Sequence, residues 1–245
     1  MKVCIIIPAY NEENRIERTL IAYDYFFAEK KADTDLSYQL LVVINGTTDN
    51  TGFIVADLQR ARPAIKCIEI KEGGKGLAIA HGFKEALKHD FSLIGFVDAD
   101  MATSPEAFYQ LIKNINGSDA IIASRYMPGA QITPARPLIK RWGSKLFYES
   151  LVYLFFGLSY YDFQCGAKLF KSYVIKKITP YLSVKQWAFD IELLYLCKRF
   201  GFSVKEIPTV WHDQAGSKLK IMRAGSRMIG ALIKMRWRYF FQSLP

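Results

Sequence analysis

The chain has 245 residues, of which 51% are hydrophobic, and it carries a formal net charge of +10. This length and apolar content can bury a large core, and they exclude an intrinsically disordered chain. The four cysteines are scattered without a C-x-x-C pair, which indicates a reducing, cytoplasmic environment. The first apolar run ends at Pro8 and is too short for a signal peptide, so it predicts a buried strand.

Short apolar runs rich in β-branched residues alternate with helical stretches through the first half of the chain. Strands are predicted at residues 3–7, 40–44, 65–70, 93–97 and 120–123. Helices are predicted at residues 14–27, 51–60, 76–88 and 105–115. This βαβ series predicts an α/β fold with a mostly parallel sheet flanked by helices.

Four loops each follow the end of one predicted strand, at residues 8–13, 45–49, 73–76 and 98–100. The carboxyl ends of parallel strands meet at one edge of the sheet, which is where open α/β sheets bind ligands. The sequence therefore predicts a ligand site at this edge.

The last two of these loops carry the residue types that bind phosphates and divalent cations. Asp98 and Asp100 place two carboxylates at i and i+2, and hard oxygen donors suit Mg²⁺ or Mn²⁺ when substrate phosphates complete the shell. The glycines of the 73–76 loop allow close backbone approach to a ligand, and Lys75 can meet a phosphate at the following helix N-terminus. The plainer alternatives are an Asp-rich turn and a glycine turn with a helix cap.

The positive charge is concentrated in the second half of the chain. Residues 1–135 carry a net charge of −3 and residues 136–245 a net charge of +13. An anionic partner is therefore expected, and nucleic acid and a membrane surface are both candidates. Helical periodicity near the C-terminus favours the membrane, because a narrow stripe of cations lies opposite a wide apolar arc. The cations of this stripe are Lys220, Arg223, Arg227, Lys234 and Arg238. The alternative is a terminal helix that packs on the core with a solvated basic edge.

A second apolar segment covers residues 146–161 and is interrupted by Glu149 and Ser150. Because a membrane span needs about 20 mostly apolar residues, this segment is expected to lie in the membrane interface or to dock on the core. No transmembrane helix is predicted. We therefore expect a peripheral or monotopic protein on the cytoplasmic face of a membrane, with no nucleic acid partner.

Eight motifs follow one another along the chain: PAYNEE, NGTTDNT, GGKG, DAD, ASRY, FQCGAKLF, WAFDIELL and GSKL. In this combination the chain resembles the family 2 inverting glycosyltransferases with the GT-A fold. Within them it most resembles the dolichyl- or polyprenyl-phosphate hexosyltransferases. The resemblance implies a Rossmann-like nucleotide-binding half, C-terminal amphipathic interfacial helices and Mg²⁺ or Mn²⁺ as cofactor. It also implies a UDP- or GDP-hexose donor and a polyprenyl phosphate acceptor at a membrane surface.

The resemblance assigns roles to individual residues. The nucleotide-sugar site would be lined by Pro8, Tyr10, Asn11, Glu12, Asn45, Lys75, Asp98 and Ala99. Asp98 would contact the ribose and Asp100 the metal, with Asp98 as a second candidate ligand. The acceptor phosphate and leaving diphosphate would be surrounded by Arg125, Arg136, Ser217 and Lys218. The acceptor-side loop would be formed by Asp162, Gln164 and Cys165, and the sugar site closed by Trp187, Asp190 and Glu192. Asp100, Asp190 and Arg125 would be the catalytic residues.

Two positions depart from the family pattern. Ile44 and Asn45 stand where paired acids usually follow the second strand, so Asn45 can hydrogen-bond a base without contributing charge. Ala102 stands where mannosyl relatives often carry a glutamine metal ligand. The second departure favours the glucosyl branch, or a metal site completed by water and diphosphate.

The two possible acceptors need different chemistry. A lipid phosphate is already an anion near neutral pH and needs positioning, for which arginine forks are suited. A hydroxyl on another glycolipid or on a cell-surface glycan needs a general base, for which Asp190 is the candidate. Apart from the resemblance, Asp190 and Glu192 could instead lie on a surface helix, and the basic tail could mark a nucleotide-sugar or RNA-binding module.

The sequence therefore predicts a metal-dependent enzyme that transfers a hexose, glucose in preference to mannose, from a nucleotide sugar to polyprenyl phosphate with inversion. Three regions are expected. Residues 1–127 form the nucleotide-sugar half, residues 128–217 the acceptor half of the same domain, and residues 218–245 a basic amphipathic membrane-associating helix.

Overall fold

The computed structural model describes residues 1–134, 149–186, 188–213 and 221–241, with the backbone alone for 221–228. Its strands are β1 (Lys2–Ala9), β2 (Ser37–Asn45), β3 (Ile65–Ile70), β4 (Leu93–Phe96), β5 (Ala120–Ser124), β6 (Gln131–Thr133), β7 (Lys168–Lys171), β8 (Val204–Pro208) and β9 (Val210–His212). Its α-helices are α1 (Ile16–Asp33), α2 (Thr51–Ala61), α3 (Lys75–Ala86), α4 (Pro105–Asn114), α5 (149–156), α6 (Ser172–Ile178), α7 (Phe189–Arg199) and α8 (Ile221–Phe241).

Seven strands form one sheet in the order β3-β2-β1-β4-β7-β5-β8. Strands β3, β2, β1 and β4 run parallel, β5 and β8 are parallel to each other, and β7 is antiparallel to both β4 and β5. The predicted mostly parallel α/β sheet and its five predicted strands are confirmed. Strands β7 and β8 are the two unpredicted members of this sheet. In β7 the four residues KLFK begin and end with lysine and carry no strand periodicity.

The four predicted helices are confirmed as α1 to α4; their ends lie within about two residues of the prediction, except that α1 continues from the predicted end at Phe27 to Asp33. Helix α4 shows why its start was readable from the sequence. The Ser104 hydroxyl accepts a hydrogen bond from the Ala107 backbone N–H at 3.3 Å, and Pro105 occupies the first helical turn, where its missing N–H costs nothing.

Helices cover both faces of the sheet. On one face, α1, α2 and α4 enclose an aromatic cluster that includes Tyr23, Phe27 and Phe108. On the other face, α3, α6 and α7 pack over Phe83 and Phe170, whose ring centroids lie 6.2 Å apart. Because both faces are buried, the sheet holds the loops at its carboxyl edge in fixed relative positions.

The two amphipathic segments both dock on the core through one face. In α8, Leu232, Met235 and Tyr239 are buried, which confirms the packed terminal helix. The opposite side of α8 exposes apolar rings: Trp237 is 62%, Phe240 69% and Phe241 72% exposed. Among the described residues, no helix has the length and hydropathy that crossing a bilayer requires.

Helix α5 lies near α8, and a residue of α7 joins them. Val152 and Phe156 of α5 are buried, whereas Tyr153 and Leu154 are exposed. The Tyr195 ring of α7 lies 5.1 Å from the ring of Phe156 and 5.3 Å from that of Tyr239 in α8. The two helices therefore dock on either side of one buried tyrosine.

Truncation of Leu232 tests whether α8 belongs to the folded core. Leu232→Ala should lower the free energy of unfolding by about 2–5 kcal/mol, because it empties a fully buried site. The neighbouring Ile233 is 44% exposed, so Ile233→Ala should change stability by about 0.5 kcal/mol or less. Urea unfolding of both variants measures the difference, and equal stabilities would contradict the docking of α8.

Candidate active site

The loops after β1 and β2 are joined by hydrogen bonds at the carboxyl edge of the sheet. The Asn11 side-chain carbonyl accepts from the Thr48 backbone N–H at 2.8 Å, and the Asn11 N–H donates to the Thr47 hydroxyl at 3.3 Å. The Glu12 N–H donates to the Thr51 hydroxyl at 2.8 Å. Asn11 and Glu12, which are predicted to line the nucleotide site, therefore connect the loop after β1 to the loop after β2.

Asn45 lies beneath these loops and is 2% exposed. With its amide oriented to satisfy both neighbours, its nitrogen donates to the Ala9 carbonyl at 2.7 Å and its oxygen accepts from the Gly74 N–H at 2.9 Å. The side chain thus ties the end of β1 to the glycine turn at 73–76. A nucleotide base would have to replace these contacts in order to hydrogen-bond the Asn45 amide.

The glycines of that turn are required by the protein's own packing. A Cβ on Gly74 would lie 2.6 Å from the Lys185 carbonyl oxygen, and φ is +153° there. A Cβ on Gly76 would lie 2.6 Å from the Val184 carbonyl oxygen. Gly73 instead lies beside the ring of Tyr10, which is 47% exposed.

Lys75, between those glycines, begins α3 and forms an ion pair with Asp98. Its Nζ lies 2.6 Å from the Asp98 Oδ1, and the two side chains are 15% and 27% exposed. Burial alone would lower the pKa of Lys75, but the negative charges of Asp98 and Asp190 outweigh it and raise that pKa. Lys75 is therefore a permanent cation beside the acidic loop.

Asp100 adds a second carboxylate to this corner. Its Oδ1 accepts from the Ala102 N–H at 3.0 Å. Burial, followed by the charge of Asp98, raises the pKa of Asp100. The intervening Met101 has φ of +61°, a strained backbone for this residue type.

Neighbouring residues fix the position of the acidic loop. The Ala99 carbonyl, predicted to contact the nucleotide, accepts from the Thr19 hydroxyl at 2.7 Å and anchors the loop to α1. A Cβ on Gly166 would overlap the Asp98 carboxylate, so glycine is required there. The sequence reading placed Gly166 in a motif but assigned it no role.

These donors fit Mg²⁺ or Mn²⁺. Asp98 and Asp100 provide hard oxygen ligands, and burial followed by the charge of Asp98 raises the pKa of Asp100, so a bound cation would stabilise its charged form. In the described parts of the chain, no three His, Cys, Asp or Glu residues form a group that could hold a metal. Two carboxylates, with water and substrate phosphates as further ligands, are the usual environment of Mg²⁺.

A buried ion pair that the sequence did not predict lies below this corner. The Lys168 Nζ, on β7, lies 2.6 Å from the Asp190 Oδ1 and donates to the Cys165 carbonyl at 2.7 Å. Both side chains are essentially inaccessible, and Glu192 on the same helix is fully buried. The alternative that Asp190 and Glu192 lie on a surface helix is therefore wrong.

Arg125 and Asp162 form a second buried pair. The Arg125 guanidinium donates to both Asp162 oxygens, at 2.7 and 2.9 Å, and lies 4.9 Å from the Trp211 ring centroid. Burial would raise the pKa of Asp162, but the charge of Arg125 outweighs it and lowers that pKa. The Gln164 N–H also donates to Asp162, at 3.1 Å. Three residues predicted on the acceptor side are thus brought together.

The remaining predicted residues are Pro8, Glu12 and four that the structure does not describe. Pro8 lies at the end of β1, half-buried beside the loop that follows. Glu12 pairs with Arg15 at 2.6 Å, and the charge of Arg15 acts on the pKa of Asp100, a connection that the sequence did not indicate. Four predicted residues lie outside the described residues: Arg136, Trp187, Ser217 and Lys218.

A double-mutant cycle tests the Lys168–Asp190 pair. Lys168→Met and Asp190→Asn should each lower the free energy of unfolding by about 3–5 kcal/mol, because each leaves a buried partner unpaired. The double variant should be less destabilised than the sum of the two, which urea unfolding measures. Strictly additive losses would show that the two side chains do not interact.

Comparisons with known proteins identify the family of this chain. The profile of the family described as "Glycosyl transferase family 2" matches residues 4–179. A dolichyl-phosphate beta-glucosyltransferase of Dictyostelium discoideum is 29% identical over 96% of this chain and 74% of its own length. Another, from Trichomonas vaginalis, is 33% identical over 88% of this chain and 65% of its own length.

Solved structures share the fold. Glucosyl-3-phosphoglycerate synthase from Mycobacterium tuberculosis, crystallised with Mn²⁺, UDP and glucosyl-3-phosphoglycerate, has a TM-score of 0.69 at 16% identity; the match covers 96% of this chain and 79% of the synthase. A mannosyltransferase from Pyrobaculum calidifontis, crystallised with GDP-Man and Mn²⁺, has a TM-score of 0.61 at 18% identity and covers 99% of this chain and 65% of its own. The predicted GT-A fold is confirmed, and the chain belongs to glycosyl transferase family 2.

Proposed function

We propose that this enzyme transfers glucose from a nucleotide sugar to dolichyl or another polyprenyl phosphate, with inversion at the anomeric carbon. The observation that carries the proposal is the corner formed by Lys75, Asp98 and Asp100 at the carboxyl edge of the sheet. The names of relatives that align along most of the chain support glucose and the lipid phosphate. Mannose remains the second candidate sugar.

The donor site has to stabilise the charge that develops on the leaving diphosphate. Lys75 supplies a permanent cation at the N-terminus of α3, where the helix dipole also favours an anion. Asp98 and Asp100 would hold Mg²⁺ or Mn²⁺, which supplies Lewis-acid stabilisation of the diphosphate when bound. The ring of Tyr10, which is 47% exposed, and the polar loop at Asn11 would line the nucleoside site.

The lipid phosphate is the nucleophile. One of its oxygens forms a bond to the anomeric carbon while the bond from that carbon to the diphosphate oxygen breaks, and the nucleoside diphosphate leaves with the electron pair. Because the acceptor is already an anion, no proton has to be removed. Arg125 is held by Asp162 at 2.7 Å, and this ion pair fixes the position of a guanidinium group on the acceptor side.

The placement of Asp190 favours a phosphate over a hydroxyl acceptor. A general base has to come within hydrogen-bonding distance of the proton that it removes. Asp190 is 2% exposed and accepts a hydrogen bond from the buried Lys168 ammonium group. In this position, Asp190 is better suited to balance the positive charges of Lys75 and Lys168 than to remove a proton from a sugar hydroxyl.

The lipid acceptor requires access to a membrane surface, and the docked helices offer a suitable face. Helix α8 exposes Trp237, Phe240 and Phe241 together with Lys234 and Arg238. Exposed aromatic rings beside cations favour the interface of an anionic bilayer. We place the enzyme peripherally on the cytoplasmic face of a membrane.

A transfer assay with a metal-site variant tests the proposed reaction. Purified enzyme should transfer radiolabelled glucose from UDP-glucose to dolichyl phosphate, and EDTA should abolish the transfer. Asp100→Asn should reduce kcat/KM by about 100-fold or more with an unchanged melting temperature, because it weakens the binding of the cation that would neutralise the diphosphate. Asp57→Asn, at an exposed carboxylate on α2, is the matched control. Wild-type enzyme that transfers sugar only to a hydroxyl acceptor would overturn the assignment.

A vesicle-binding experiment tests the membrane face. Replacing Trp237, Phe240 and Phe241 together by serine should reduce cosedimentation with vesicles containing anionic lipid by about tenfold or more, since each ring loses apolar burial. The double variant Tyr25→Ser/Phe53→Ser removes equally exposed rings from α1 and α2 and should bind as wild type does. Equal losses in both variants would contradict a specific membrane face.

A further inference from the structure

We propose that Glu192 and Tyr239 position the donor site: they hold the segment 183–185 against the glycine turn that carries Lys75. The C-terminal helix would thereby take part in nucleotide-sugar binding as well as in membrane contact. The inference rests on the proposed function, because it concerns the same donor site. Neither residue touches the reacting atoms, so both are positioning residues.

Glu192 is the centre of the arrangement. Its side chain is fully buried, and its Oε2 accepts from the backbone N–H groups of Ser183 and Val184, both at 2.9 Å. Its Oε1 accepts from the Ser183 hydroxyl at 2.6 Å and from the Tyr239 hydroxyl at 2.8 Å. A buried carboxylate with four donors makes strong charge-assisted hydrogen bonds, so it fixes the backbone that it contacts.

The backbone of segment 183–185 also packs directly against the glycine turn at 73–76. The Lys185 carbonyl accepts from the Leu77 N–H at 3.1 Å, which satisfies one of the free donors at the start of α3. The carbonyls of Lys185 and Val184 occupy the space that a side chain on Gly74 or on Gly76 would need. An ion pair between Lys185 and Glu72 at 2.7 Å adds a further contact. Lys75 is therefore held between two glycines that this segment covers.

Tyr239 connects the arrangement to α8. Its hydroxyl also lies 3.0 Å from the Tyr181 carbonyl, at the start of the loop that leads to Ser183. Burial, followed by the negative charge of Glu192, raises the pKa of Tyr239, so the phenol stays protonated and keeps donating. Direct contacts thus run from α8 through Glu192 and segment 183–185 to the turn that bears Lys75.

Loss of the Tyr239 hydroxyl should loosen the segment without altering the reacting groups. Ground-state binding of the nucleotide sugar should weaken while the chemical step is preserved, so KM should rise with little change in kcat. For Tyr239→Phe we expect the KM for the nucleotide sugar, and the Kd for UDP measured by calorimetry, to rise about tenfold. We expect kcat to stay within about twofold of wild type.

The matched control is Tyr195→Phe. Tyr195 is also buried, its ring packs 5.3 Å from that of Tyr239, and its side chain faces α5 as well as α8. Tyr195→Phe also removes one phenol oxygen from the packed Tyr195–Tyr239 ring pair. Unlike Tyr239→Phe, it removes no hydrogen-bond donor to Glu192. Its KM and Kd should match those of wild type. Ser183→Ala, which removes a different donor to Glu192, should raise KM in the same direction as Tyr239→Phe.

Amide hydrogen exchange gives a readout that needs no substrate. In Tyr239→Phe, the amides of residues 74–77 and 183–185 should exchange faster, while those of the β1–β2 pair stay as protected as in wild type. Unchanged exchange together with wild-type Kd for UDP in both Tyr239→Phe and Ser183→Ala overturns the positioning role. A fall in kcat at constant KM overturns it too. If wild-type enzyme transfers no glucose, the proposed function fails, and the exchange result still decides the positioning.

Discussion

Paired charge at the carboxyl edge of the sheet is the constraint on which the site depends. A buried unpaired charge costs several kcal/mol, so Asp98 and Asp190 each have to be placed with a lysine. Lys75 lies 2.6 Å from Asp98, Lys168 lies 2.6 Å from Asp190, and the charge of Asp190 also acts on Lys75. The resulting network keeps Lys75 close to Asp98 and Asp190, where a diphosphate and its cation would bind.

Close backbone contacts fix the positions of these charged side chains. Gly166 leaves space for the Asp98 carboxylate, and Gly74 and Gly76 leave space for the segment that covers Lys75. In each case the neighbour that excludes a side chain is another part of the same chain. The polar corner is therefore preorganised before any substrate arrives, which reduces the cost of ordering it during the reaction.

The C-terminal helix α8 has two different faces. Leu232, Met235 and Tyr239 pack into the core, and the Tyr239 hydroxyl reaches the carboxylate of Glu192. The opposite face carries exposed aromatic rings and cations suited to a membrane. Under the proposed function, the helix would lie between the lipid surface from which the acceptor comes and the segment that supports the donor site.

The sequence by itself determined the α/β fold, the mostly parallel arrangement of its strands and the edge where Lys75, Asp98 and Asp100 meet. These features follow from local periodicity and from the rule that parallel strands place their carboxyl ends together. Tertiary structure alone decided the partners: Lys168 with Asp190, Arg125 with Asp162, and Glu192 with Tyr239. It also inserted β7 between β4 and β5, and it used the amide of Asn45 within the protein. The physical reason is that a side chain's burial and hydrogen-bond partners depend on segments distant in the chain, which local sequence patterns do not encode.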